Sequence, residues 1–528
     1  MARFFNTAGP CRPKDHYMLP PERRLPALAT LIDQKAYFVI HAPRQTGKTT
    51  LLRALAARLR SESRFAALHA SCESGQAAGS DLDRGVQAVL DAIADEAEIQ
   101  LAAELRPPSP QAFEVHRGEG RLRRYLRAWC ERCPRPVVLF LDEIDSLLDA
   151  TLLSVLRQLR DGYPSRPEHF PQSVALIGLR DVRDYRIHLR SDAHSLGTAS
   201  PFNIKVESIL LPNFTAEEVA ELLQQHTAET GQPFTSEAKE QIWLLTRGQP
   251  WLVNALARQL IEAIVPDRHQ PIEREHIERA KEQLILRRDT HLDSLVDRLR
   301  EPRVRRVIEP ILAGIFPAEE VLHDDLQLAQ DLGLVVPGEA GLEIANPIYR
   351  EVIPRALTRI TESYLPVQRA SYIAADGRLA TDRLLVDFTA FWRQHAESFL
   401  ERQPYSEAAA QLILMAWLQK IVNGGGATGR AAIEREYAVG SGRIDLQVHW
   451  PYAGGVQRWA LELKRWRDGQ PDPEAEGLEQ LSRYLDRLGL ESGTLVIFDT
   501  RGQAPPFAER GTQQLVTHGR YQITVLRL

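Results

Sequence analysis

The segment YFVIHAPRQTGKTTLLRAL, residues 37–55, constrains this chain more than any other. An apolar run at residues 36–40 gives way within a few positions to Gly47, Lys48 and Thr49, and then to a helix-forming stretch. Such a run, bounded by turn residues, reads as a strand covered on both faces. A short loop from a strand into a helix aims several backbone N–H groups, and the positive end of the helix dipole, at one point. That arrangement cradles phosphate oxygens. Ala42, Pro43, Arg44, Gln45, Thr46, Gly47, Lys48, Thr49 and Thr50 are therefore assigned to nucleotide binding. Lys48 is expected beside the β- and γ-phosphates, and the Thr49 hydroxyl on Mg2+. The pattern G-x4-GK[ST] is met except at its first position, where Ala42 replaces glycine.

A second element, PVVLFLDEID at residues 136–145, is a continuous apolar strand ending in carboxylates. Asp142 is expected to hold the magnesium and its water shell, and Glu143 to orient or deprotonate the attacking water. Both elements occur in order, each behind its own buried strand, which selects the phosphate site over a chance glycine-rich helix start. Strand and helix signals alternate from Tyr37 to about Asp184, so a parallel sheet covered by helices is expected. These motifs resemble the P-loop ATPases of the AAA+ and STAND classes. The resemblance implies ATP and Mg2+ as cofactors and Arg180, after the strand SVALIG, as a sensing residue. It also makes TRGQPWLVNAL similar to a lid element that brings Gly248 and Pro250 to the base, and the opening FNTAGPCRPKDHYMLPPERR similar to a strap over the adenine. Arg183, Arg186 and Arg190 read as solvated surface arginines. The competing role is a finger for a neighbouring subunit, in a homo-oligomer built through the ATPase domain.

With 528 residues the chain exceeds what one core usually serves. The expected domains are a nucleotide strap (1–35), the P-loop core (36–208), a helical lid (209–290), a small helical module (291–360) and a C-terminal α/β domain (361–528). Hydrophobic residues make up 44% and charged residues 26%, a soluble globular balance. No apolar run approaches the roughly 20 residues of a membrane span, so no membrane partner is expected. Four cysteines and no secretory-type start fit a cytoplasmic protein. Cys130 and Cys133 form a CxxC without a second ligand pair nearby, and are set aside as coincidence. The 65 basic residues against 70 acidic give a net charge of −5, so any nucleic-acid contact must be a local patch.

Within residues 291–360, VRRVIEPILAG, LHDDLQLAQDLGLV and GLEIANPIY resemble a winged-helix unit. Its second helix carries Asp324, Asp325 and Asp331 and no lysine or arginine, the wrong charge for approaching phosphates. It reads as a scaffold or regulatory module rather than a DNA reader.

Toward the C terminus, GRIDLQVHW and RWALELKRW each alternate between apolar and polar residues. Ile444, Leu446 and Val448 share one face, as do Trp459, Leu461 and Leu463; Asp445, Glu462 and Lys464 project from the other. Paired carboxylates repel, which invites a divalent cation. The spacing D-x16-ExK followed by a helix resembles the PD-(D/E)XK nucleases. Gln480 and Tyr484, as Q-x3-Y, are similar to an added motif of the RecB-like branch. That resemblance implies Asp445, Glu462, Lys464, Gln480 and Tyr484 as catalytic residues, with Asp445 and Glu462 as ligands for Mg2+ or Mn2+. Glu407 is the expected further ligand, with Glu436 as its rival, and Arg483 and Arg487 are phosphate contacts. The proline of the family signature is replaced by Ile444. An ion pair of Glu462 with Lys464 on a solvated sheet face is the competing reading.

The expected fold class is multidomain α/β: a P-loop parallel-sheet ATPase core, a helical lid, a winged-helix-like module and a nuclease-like α/β domain. The expected function is ATP-regulated cleavage of DNA through the C-terminal domain, and the architecture resembles bacterial defence proteins against phage or mobile DNA. The alternative is a signalling ATPase or scaffold whose C-terminal domain binds nucleic acid without cutting it.

Overall fold

A computed structural model describes residues 3–179, 205–287, 290–312, 323–338, 341–364, 369–402, 409–423, 432–439 and 442–528. The chain divides into two compact units, Met1–Asp293 with His323–Val336, and Ser294–Leu322 with Pro337–Leu528.

In the first unit, strands β1 (Tyr37–His41), β2 (Ala66–Ser71), β3 (Val137–Asp142), β4 (Ser173–Gly178) and β5 (Lys205–Leu210) form one sheet in the order β2-β3-β4-β1-β5. Every pairing is parallel. Parallel strands need crossover helices, and these cover both faces. The burial of β1 shows the result: Tyr37 and Val39 enter one apolar cluster, Phe38 and Ile40 the other. Full burial of Phe38, Val39 or Ile40 contributes about 1.5–3 kcal/mol each. The β1 and β3 C-terminal ends lie on the same edge of this sheet, each one strand from β4. Their following loops are thereby brought together, the place where open α/β sheets bind ligands.

As the helical pattern predicts, residues 214–287 contain the helices Ala216–Thr230, Ser236–Thr246, Pro250–Gln259 and Arg274–Arg287. Thr215 and Glu218 close a reciprocal capping box at the first of them. Gly231, at φ +81, ends that helix. A further helix, His323–Asp331, belongs to the same unit, and the methylene edge of Pro43 sits where a side chain at Gly333 would be. The chain passes into the second unit within β6 (Val335–Gly338), which β7 (Gly341–Ile344) follows.

The second unit is built on β8 (Ala432–Val439), β9 (Gly442–Tyr452), β10 (Gly455–Trp466), β11 (Ser492–Asp499), β12 (Thr512–His518) and β13 (Tyr521–Arg527). Their order is β12-β13-β11-β10-β9-β8, mixed in direction. Leu446, Val448, Trp459, Leu461 and Leu463 share one apolar cluster with residues of the helices Thr381–Arg402 and Ala409–Asn423. On the opposite face Ala460, Leu495 and Ile497 pack with Leu478, Leu481 and Leu485 of the helix Glu474–Leu488. Glu462 and Lys464, two and four positions after Ala460, lie on this second face. The helix Thr381–Arg402 has no counterpart among the sequence expectations; its apolar residues are spread among charged ones and no motif marks it.

Candidate functional site

The first site grows from the end of β1. Gly47 stands at φ +92 just before the helix Lys48–Ser61, and Gln45 at φ +58, so the loop turns back through two left-handed residues. A side chain at the glycine position would be strained. Ala42 is buried in the apolar cluster that holds Phe38 and Ile40, so its methyl group packs into the core where glycine is usual. The Lys48 ammonium donates to the carbonyls of Ala42 at 2.7 Å and Pro43 at 2.9 Å. Its burial lowers its pKa, while Glu143, Asp142 and Asp145 pull the other way.

Across from it, Thr49 Oγ1 donates to Asp142 Oδ2 at 2.7 Å, and His69 Nε2, from β2, lies 3.1 Å from the same oxygen. Asp142 Oδ1 accepts the backbone N–H of Glu143 at 3.0 Å. Burial raises the Asp142 pKa, and the hydrogen bonds from His69 and Thr49 outweigh it, leaving the carboxylate below its ordinary range. Glu143 is held at φ +54, a conformation costing a non-glycine residue on the order of 1–3 kcal/mol and found where geometry serves chemistry. Burial, then Asp145 and Asp142, raise its pKa. The two neighbouring carboxylates are thus displaced in opposite directions.

A cavity of about 380 Å3 opens over this cluster. Residues 44–50 form its floor, with Glu143 and Asp145. Its other walls come from residues 6–11, from Tyr17, Met18 and Leu19, and from Phe214, Pro250, Trp251 and Asn254. The N-terminal segment is fastened in place. Trp251 Nε1 donates to Thr7 O at 2.9 Å, the Cys11 N–H to Thr50 Oγ1 at 3.1 Å, and Gln225 brackets Met18 through both of its backbone groups. Arg24 donates to Thr46 O at 2.8 Å and to Pro212 O, and lies over the Phe214 ring; burial lowers its pKa to about 10. The volume, polar floor and apolar walls suit a nucleotide.

Asp142, Thr49, Lys48 and Glu143 lie together at the ends of their strands, and Pro250 lines the cavity. Gly248 does not: at φ +70 it packs on the backbone of Phe214, whose carbonyl oxygen lies 1.8 Å from where a Cβ would stand. Arg180, Arg183, Arg186 and Arg190 lie outside the described residues. His69, Arg24, Trp251 and Asn254 escape sequence reasoning, since each acts through an approach between distant segments that no local pattern signals.

Residues 32–185 match a family model described as an AAA domain. The AAA match spans the loop at residues 42–50 and the carboxylate pair, and supports an ATP-binding P-loop ATPase core. No curated protein matches the chain. Among solved structures it is similar to a Walker-type ATPase of Pyrococcus abyssi, at 16% identity and a TM-score of 0.47, over 66% of this chain and 99% of that one. The Thermotoga maritima RuvB Holliday junction branch migration motor shows 16% identity and a TM-score of 0.33, over 63% and 92% of the two chains. Cdc6p from Pyrobaculum aerophilum shows 14% identity and a TM-score of 0.35, over 66% and 96%. Among the described residues no helix is long and apolar enough to cross a membrane.

The second unit holds a separate polar cluster. Backbone pairing of β9 with β10 runs to Leu446 opposite Leu461; one residue further, the Asp445 carboxylate takes the N–H of Leu463 at 2.7 Å. Glu462 is 1% exposed, and its Oε2 has no hydrogen-bond partner among the described residues. Burial, then the charge of Asp445, hold its pKa well above the carboxylate range. Lys464 Nζ lies 3.4 Å from Glu462 Oε1, 3.2 Å from Glu476 Oε1 and 2.7 Å from Gln480 Oε1, and Gln480 Nε2 donates to Tyr484 OH at 3.2 Å. Glu462, Lys464, Gln480 and Tyr484 thus form one chain of contacts, anchored by the helix Glu474–Leu488, and Asp445 is tied beside them through the backbone of Leu463. No group of three or more His, Cys, Asp or Glu side chains able to hold a metal occurs among the described residues. Glu407 lies outside them, as does the Glu436 side chain.

Proposed function

We propose that the chain is a nucleotide-controlled nuclease, in which an ATP-hydrolysing core governs metal-dependent cleavage of phosphodiester bonds in DNA by the second unit. The observation that carries the nuclease reading is the buried Glu462 carboxylate, with one oxygen unpartnered, beside Asp445 and Lys464. Burying the charge of Glu462 beside Asp445 is costly, and a divalent cation would relieve that cost in place of a proton. Asp445 and Glu462 would hold Mg2+ or Mn2+, which supplies an acidified water and charge neutralisation. Lys464, steered by Gln480 and Glu476, would offset charge on the phosphate. Gln480 is in turn held by Tyr484, and exposed Arg483 and Arg487 on the same helix would meet the backbone.

In the core, Lys48 would exchange the carbonyls of Ala42 and Pro43 for the β- and γ-phosphates. Thr49 and Asp142 would hold Mg2+, and Glu143 would take a proton from the attacking water. Lys48→Ala is expected to abolish nucleotide binding in equilibrium dialysis. Glu143→Gln should bind ATP yet lower turnover by about 10²–10⁴-fold, the usual worth of a general base; normal hydrolysis by that variant overturns its role.

Plasmid digestion with Mg2+ or Mn2+, with and without ATP, tests the second unit. Asp445→Ala and Lys464→Ala should each lose at least about a hundredfold in cutting rate. Equal cutting by all three proteins overturns the site. A gel shift of uncut DNA by the wild type would make the second unit a binding module.

A further inference from the structure

The structure assigns to Asn254 the selection of a purine bearing a 6-amino group, an inference that rests on reading the cavity of the first unit as the nucleotide site. Asn254 stands in the second turn of the helix Pro250–Gln259 and forms part of the cavity wall with Pro250 and Trp251. Its side chain is 7% exposed. Its Nδ2 donates to Pro250 O at 2.8 Å, one helical turn back. That bond fixes which way the amide faces, because the reverse orientation would set two carbonyl oxygens against each other. The remaining atom, Oδ1, is buried and has no hydrogen-bond partner among the described residues.

A buried acceptor without a donor asks for one from a ligand. The surrounding wall, which includes Tyr17, Leu19, Leu222 and Trp251, is the apolar and aromatic surface that stacks against a flat heterocycle. The polar floor at residues 44–50 takes the opposite, phosphate end. A base reaching this wall therefore presents its far edge to an acceptor. Adenine offers an N–H2 group there, whereas guanine and hypoxanthine offer a carbonyl oxygen, which Oδ1 repels. Selection arises from one fixed acceptor, as expected where a buried polar group is left unmatched by the wrong ligand.

The test compares Mg2+-ADP with Mg2+-IDP by titration calorimetry on the full chain. The two differ at the 6-position of the base. Wild type should bind ADP about tenfold or more tighter than IDP, the range for a hydrogen bond left unmade in a buried site. In Asn254→Leu, and in the smaller Asn254→Ala, the preference should vanish while IDP affinity is retained. Equal affinity of wild type for ADP and IDP overturns the inference and leaves the nucleotide site standing. So does a preference that survives in Asn254→Leu. If neither nucleotide binds the wild type, the nucleotide reading itself fails and this inference with it. Should Asn254→Leu not fold, the wild-type ratio and that of Asn254→Ala still decide.

Discussion

Glu143 and Glu462 are both carboxylates displaced upward, chiefly by burial, and each displacement has a measurable sign. A base must be ionised to accept a proton. The acid limb of ATP turnover should therefore lie above the usual carboxylate range, and a kcat–pH profile should lose that limb in Glu143→Gln. For Glu462 the folded protein binds the proton more tightly than the unfolded chain does. Between the ordinary carboxylate pKa and the folded one, stability then falls as pH rises. At pH 8 without divalent ions, Glu462→Gln is expected to raise the melting temperature of the second unit by about 2–4 °C. Added Mg2+ should stabilise the wild type and leave the variant unmoved. A lower melting temperature for the variant would show that the Glu462–Lys464 contact outweighs the burial of the charge.

Among the elements, the turn entering the helix Pro250–Gln259 is the least tolerant. At Gly248 a methyl group meets both a left-handed backbone and the Phe214 carbonyl, so Gly248→Ala should cost more than about 3 kcal/mol in urea unfolding of the first unit. Strands and loops of this unit are legible in the chain because their signals are local. The run at residues 36–40 must be buried, Gly47 must turn, and Asp142 must end a strand. The β9 and β10 faces are legible for the same reason, since alternation alone sends Leu446 and Leu461 to one side and Glu462 to the other. What the sequence conceals is joint property. Arg24 reaches Thr46 only once the N-terminal segment has folded back, and Trp251 meets Thr7 across 244 positions. His69 becomes a partner of Asp142 because β2 happens to lie beside β3 in the sheet order, and strand order carries no mark in a single sequence. A boundary is expected at residues 290/291, but no local signal marks His323–Val336 as part of the first unit, after an excursion through the second.

At the scale of the molecule, a net charge of −5 means that, under the proposed function, any attraction to DNA must come from local arginines such as Arg483 and Arg487. Charge reversal at both should flatten the salt dependence of DNA affinity by up to about 2 in log–log slope. The cavity of the first unit leads to a different kind of consequence. Its walls come from residues 6–11 and 17–19, from the loop after β1 and from the helix beginning at Pro250. A ligand there would join segments some 240 positions apart, closing a long loop in the way a reversible cross-link does. Occupancy at a hundred times Kd adds about 2.7 kcal/mol. Much of that gain should appear as slowed amide exchange across residues 3–19 and 250–254 together, so that the start of the chain frays only when the nucleotide has gone.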